Sequence, residues 1–180
     1  AQPGDCIIIN GTMGDHGAAV MSSRQDYHLS NAIKSDCSCL NSLIEKILAV
    51  APDIHAMRDP TRGGVATTLK EISTQSNVQI IIEEDSLPVT TQVRGFCEIL
   101  GIDPLYMANE GKVLVFAPKK KADRIVSAMR RHALGRHTAV IGSVSCRSSS
   151  KEPPLVLMKT SIGSTRIIDM LSGEQLPRIC

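Results

Sequence analysis

The sequence predicts an α/β (α+β) domain, a layered mixed β-sheet covered by helices. Two observations carry that expectation. Short β-rich apolar runs alternate along the chain with segments whose apolar residues fall three and four apart. The 180 residues are also 42% hydrophobic and 21% charged, the balance of a globular domain with a sizeable core rather than of a disordered tail. Aromatics reach only 2%, with no Trp, so small aliphatic side chains must fill the interior.

Taken in order, the runs CIIIN (Cys6 to Asn10), VQIIIEE (Val78 to Glu84), KVLVFAP (Lys112 to Pro118), TAVIGSV (Thr138 to Val144) and PLVLMKT (Pro154 to Thr160) read as strands. Each is bounded by turn residues. After the first strand, glycines 11, 14 and 17 lead into a helix. Further helices are expected at Leu40 to Ala51, Gly64 to Thr74, Gln92 to Leu100 and Lys121 to His132, where the apolar spacing is helical. The stretch Ser143 to Pro154 reads as a polar surface loop rather than a domain boundary, because strands lie on both sides. Thr165 to Leu171 is the last apolar element, and no repeat interrupts the pattern.

Charge and cysteine content exclude several classes. A net charge of +2 with so few aromatics argues against nucleic acid. The basic clusters Lys119 to Lys121 and Arg130 to His132 read as the solvated face of one helix. No apolar run approaches the roughly 20 residues that cross a bilayer, and no signal peptide opens the sequence, so a cytoplasmic, membrane-free protein is expected. The six cysteines are read as reduced; Cys37 and Cys39 are spaced C-x-C, with no second close pair to complete a tetrahedral metal site. No metal ligand is assigned. Ala1 rather than Met at the start suggests a fragment or processed product.

The chemical signals gather in three loops and at the terminus. NGTMGDHG (Asn10 to Gly17) is a strand-to-helix turn with Asp15, His16 and Gly17 at the helix start, where free N–H groups suit a phosphate. Its spacing fits neither the dinucleotide fingerprint nor a Walker A loop, and helix capping by Asp15 with a tight glycine turn explains it equally well. MRDPTRGG (Met57 to Gly64) places Arg58, Asp59 and Arg62 beside Gly63 and Gly64, which let a ligand approach the backbone closely. That makes a more convincing anion site. YMANEGKV (Tyr106 to Val113) sets Asn109 and Glu110 before a strand, where a glutamate is usually only solvated; His16 and His55 could be general bases, but with no fixed partner visible each reads rather as a satisfied polar histidine. The chain ends SGEQLPRIC, with a thiol at Cys180 on what reads as a mobile arm.

Together NGTMGDHG, KSDC, AMRDPTRGG, DPLYMANEGK and the terminal GEQLPRIC resemble the C-terminal domain of the hydrogenase maturation factor family HypE, within the PurM-like (aminoimidazole ribonucleotide synthetase) superfamily. The resemblance runs from Gly4 to Cys180. It implies a PurM C-terminal-domain-like fold over residues 1–172, a tail over 173–180, and an ATP-binding N-terminal domain lying outside this sequence. It further implies that a carbamoyltransferase, HypF, loads Cys180, and that ATP dehydrates the carbamoyl group to a thiocyanate. The cyanide then passes to the HypC–HypD iron scaffold for [NiFe]-hydrogenase. By position Glu110 resembles the family's base, while Asp15, His16, Gly17, Arg58, Asp59, Arg62, Gly63, Gly64 and Asn109 are expected to border the nucleotide. ATP and Mg²⁺ are expected to bind mainly through the other domain, which also carries the homodimer interface; the isolated domain is expected to be inactive alone. A selenophosphate synthetase relative and a non-catalytic partner-docking module are the alternatives.

Overall fold

The structure is a computed structural model that describes residues 1–24, 33–147 and 153–171. Strand β1 (Asp5–Ile9) lies inside a seven-stranded sheet, and all five of its residues are buried. Burial on both faces explains why CIIIN is apolar without alternation. Around it run β2 (Ala56–Arg58), β3 (Gln79–Glu83), β4 (Leu114–Pro118), β5 (Ala139–Ser145), β6 (Val156–Lys159) and β7 (Thr165–Ile168), in the order β2-β4-β1-β5-β3-β6-β7. Every neighbouring pair is antiparallel except β3 with β6, so the sheet is mixed as expected.

Side-chain alternation divides the core into two layers. Ile7, Ile9, Leu114 and Phe116 point to one face, where Val65, Ala66, Leu69 and Ile72 of helix α3 (Gly64–Ser76) pack on them. Cys6, Ile8, Val115 and Ala117 point to the other, under Leu43 and Ile47 of α2 (Asn41–Val50) and Ile125 and Met129 of α5 (Ala122–Arg130). Burying each such aliphatic side chain contributes about 1.5–3 kcal/mol, which is how a chain with two Phe and no Trp holds a sheet of this size. Helices α1 (Asp15–Arg24) and α4 (Thr91–Leu100) make a smaller third cluster through Ala18, Met21, Val93, Phe96, Cys97 and Met107.

Three details differ from the sequence reading. β2 was not expected: three residues beside a proline are too short to show a period, and the strand exists because Ala56, Met57 and Arg58 pair with Phe116, Val115 and Leu114. β5 continues through Ser145 into the run read as a loop, because Gln79 of β3 supplies its ladder partner. Lys119 to Lys121 form a separate 3₁₀ turn ahead of α5 rather than part of that helix. Beyond these, β7 gives the final apolar element its form, pairing with β6 across the turn at Gly163.

Packing divides the described cysteines, all of which are free. Cys97, on the buried side of α4, has its thiol pushed up to about 11, first by burial and then by the charges of Asp103 and Glu98. Burial likewise raises Cys6 on β1. Cys37, Cys39 and Cys146 are exposed. Iodoacetamide at neutral to mildly basic pH should label the exposed three at least about tenfold faster than Cys6 and Cys97, as read by peptide mapping. Equal labelling of Cys97 in the native protein would contradict the packing of α4 on α1.

Candidate functional site

The three glycine-bearing loops meet at one buried side chain, that of Asn109, which is 1% exposed. Its Oδ1 accepts a hydrogen bond from Gly14 N (2.8 Å), and its Nδ2 donates to Pro60 O and Met107 O (both 3.0 Å). One amide therefore ties NGTMGDHG, RDPTRGG and ANEGK together. Gly17 N adds a bond to Ala108 O at 3.0 Å, laying the first turn of α1 along the ANEGK loop. The third contact is steric. Gly64 begins α3 at φ +63°, and a Cβ there would sit 2.4 Å from Leu105 O, so only glycine lets α3 approach this loop.

A second cluster fixes Glu110 from the other side. Asp36, whose side chain is 5% exposed, accepts from Glu110 N (3.2 Å), Gly111 N (3.3 Å) and Lys112 Nζ (2.8 Å). The contact is tight enough that a Cβ on Gly111 would lie 1.9 Å from Asp36 O. Ser38 Oγ donates to that same carbonyl at 2.6 Å. His16 Nδ1 lies 2.9 Å from Ser35 Oγ, so the start of α1 touches the same segment. Thus the structure gathers Asp15, His16, Gly17, Asn109 and Glu110 around the Asp36 segment. Asp36 and Lys112 were missed as site residues. KSDC and ANEGK carry them in plain view, but an aspartate in an aperiodic stretch gives no sign that its partners lie 74 and more residues away.

Electrostatics differ across the site. Asp15 accepts from Thr12 Oγ1 at 2.5 Å and has its carboxyl raised above the ordinary value by burial, with the Thr12 bond and the Lys112 charge opposing. Arg58, on edge strand β2, pairs with Glu71 (3.0 Å) and Asp59 (3.7 Å) and is 45% exposed. Gly63, at φ +70°, is the residue before α3, and Arg62 beside it is exposed. His55 is not brought to these loops: it meets Asp5 at 2.7 Å at the opposite end of β1. Cys180 lies outside the described residues.

The donor set sorts the expected cofactors. Two helix starts, α1 and α3, converge on the Asn109 node, and their N-terminal dipoles with Arg62 suit the phosphates of a nucleotide. For Mg²⁺ the fit is poor. The carboxylates of Asp15 and Asp36 already accept hydrogen bonds, and no group of three or more His, Cys, Asp or Glu positioned for a metal occurs among the described residues. No helix among the described residues is long and apolar enough to cross a membrane.

Residues 2–151 match the family model for AIR synthase related protein, C-terminal domain. The chain is 48% identical over 180 residues to the carbamoyl dehydratase HypE of Cupriavidus necator, covering 100% of this chain and 50% of that protein. Among solved structures, hydrogenase maturation protein HypE in complex with ATP superposes with a TM-score of 0.93 at 43% identity, over 100% of this chain and 54% of that one. A HypE–HypF complex gives 0.88 at 44% identity, over 95% and 54%. The chain spans about half the length of the curated relatives it matches.

Two substitutions test this geometry. Asn109→Ala strands Gly14 N and the Pro60 and Met107 carbonyls in a dry interior and is expected to cost about 2–4 kcal/mol in urea unfolding; a loss under about 0.5 kcal/mol would mean other contacts hold the loops. Asp15→Asn tests the raised carboxyl. A folded-state value above the unfolded one costs stability as pH rises through the unfolded value toward the folded one, and the penalty persists above both. The variant should therefore gain stability relative to the parent between acid and neutral pH. A difference independent of pH would show that burial does not raise this group.

Proposed function

This chain belongs to the family of AIR synthase related proteins, whose C-terminal domain it forms, and we propose that it serves a carbamoyl dehydratase of hydrogenase maturation. The observation that carries the reading is the Asn109 node, which brings the three loop motifs to one place in a chain similar over its whole length to HypE proteins. The acceptor is Cys180, at the end of the 173–180 tail that follows the 1–172 domain. Its thiolate is the nucleophile that takes a carbamoyl group from a HypF-type carbamoyltransferase, a partner suggested by the solved HypE–HypF complex.

Dehydration of S–C(=O)–NH₂ to S–C≡N removes one oxygen and two nitrogen protons. ATP supplies the leaving group by phosphorylating the carbamoyl oxygen, so that the products are thiocyanate, ADP and phosphate. One nitrogen proton passes to solvent as the carbamoyl oxygen is phosphorylated, and Glu110 takes the other as phosphate departs, its backbone fixed for that task by Asp36. The start of α3 (Gly63, Gly64), with Arg62, orients phosphate and stabilises its developing charge, while Asp15, His16 and Gly17 at the start of α1 border the same pocket. Arg58 and Asp59 border this pocket as an ion pair. Asn109 positions the loops. The remaining half of the relatives' length is assigned further nucleotide contacts, any Mg²⁺ and the dimer interface, so this chain alone has little turnover. A HypC–HypD iron scaffold is the acceptor of the cyanide.

Mass spectrometry of the C-terminal peptide tests the assignment, after incubation with the carbamoyltransferase, carbamoyl phosphate and ATP, with and without the other half supplied as a separate chain. A carbamoyl adduct on Cys180 that becomes thiocyanate only in the complete mixture is expected. Glu110→Gln should keep the adduct and slow thiocyanate formation about 10²–10⁴-fold. No adduct on Cys180, with a transferase active on an intact homologue, would overturn the reading.

A further inference from the structure

Behind the Glu110 loop lies a second cleft of about 200 Å³, lined by residues that the dehydratase reading does not use, among them Thr12, Ser38, Arg136 and His137. Its two walls are held rigid by Asn10, which is 1% exposed. Asn10 Nδ2 donates to Gly111 O (3.1 Å) and Leu134 O (2.9 Å), and its Oδ1 accepts from Val113 N (2.8 Å). Thr138 Oγ1 donates to Gly135 O at 2.6 Å, and the Arg130 guanidinium clamps Thr138 O at 2.8 and 3.1 Å. The 133–138 turn is therefore fixed at both ends.

Charge in the cleft is one-sided. Its single carboxylate, Asp36, is neutralised by Lys112, whose buried ammonium lies on the floor. The hydroxyl protons of Thr12 and Ser38 are already given to Asp15 and to Asp36 O. Arg136 and His137 stand exposed at the mouth, and neither side chain has a hydrogen-bond or ion-pair partner among the described residues. An unpaired guanidinium on a rigid turn, with an imidazole on the next residue, matches the oxygens of a tetrahedral oxyanion. The volume lies below the ~300–1,000 Å³ of sites that enclose drug-sized ligands.

We propose that this cleft, with Arg136 and His137 at its mouth and Lys112 at its floor, binds a phosphate-type oxyanion. The ligand is either free phosphate or the terminal phosphate of a nucleotide, and the site is coupled to the Glu110 loop through Asp36 and Lys112. This inference does not depend on the dehydratase reading.

Isothermal titration of the 180-residue chain with sodium phosphate at constant ionic strength, paired with amide chemical shifts, tests it. Saturable phosphate binding is expected, with shifts at Gly11, Thr12, Gly111, Arg136 and His137. Arg136→Gln should weaken it at least about tenfold, and His137→Gln to a lesser degree. Arg124→Gln, which removes the same charge from the exposed face of α5, should leave it unchanged. A parallel titration with ATP separates the sources: Arg136-dependent binding of ATP alone assigns a nucleotide's phosphate, and of phosphate as well assigns the free ion. No saturation by either ligand up to about 50 mM, or equal weakening by Arg136→Gln and Arg124→Gln, would overturn the proposal.

Discussion

A single buried amide sets the spacing of this molecule's chemistry. Asn109 has one acceptor and two donor positions in use, and each goes to a different loop. In a dry interior each of those bonds must be made, since an unmet polar group there costs about 1–3 kcal/mol. The three loops are separated by tens of residues in sequence and sprout from different strands and helices. Their mutual positions are therefore not left to loop entropy; they are tied to the geometry of one planar group. Gly64 completes the arrangement by letting α3 press against Leu105 and Met107 where any side chain would collide.

Asp36 and Lys112 act on the same loop by a different force. A carboxylate and an ammonium at 2.8 Å, both nearly removed from water, lose hydration that their mutual attraction only partly returns. The two backbone N–H groups of Glu110 and Gly111 supply further donors to that carboxylate, so the buried charge is compensated by several partners. Such a pair contributes little net stability, yet removing either member leaves the other charge buried and unpaired. It thereby enforces one placement of the 33–40 segment against the loop rather than merely strengthening it.

Much of the fold was legible because burial imposes a period. The central strands are apolar on both faces, and α2, α3, α4 and α5 each carry an apolar stripe, so their existence follows from spacing alone. β2 was not legible, because its reason for being a strand is the edge of β4 and lies outside its own three residues. The site divides in the same way. Glycines and prolines mark the loops in sequence, since backbone conformation is a local property. The roles of Asn109 and Asp36 are relations between distant segments, and a polar residue bonded to a partner 49 or 74 positions away has the same letter as one bonded to water.

These two constraints meet at Glu110. The proton abstraction proposed for Glu110 needs a carboxylate that is reachable yet held in place, and loops usually trade one for the other. Here the residue before Glu110 is locked by its side chain into the core, and the N–H groups of Glu110 and Gly111 are locked by Asp36. The backbone is fixed on both sides while the Glu110 side chain remains only half-buried. Preorganisation is thus achieved without burying the group itself. The price of that arrangement is borne by the buried polar side chains of Asn109, Asp36 and Lys112.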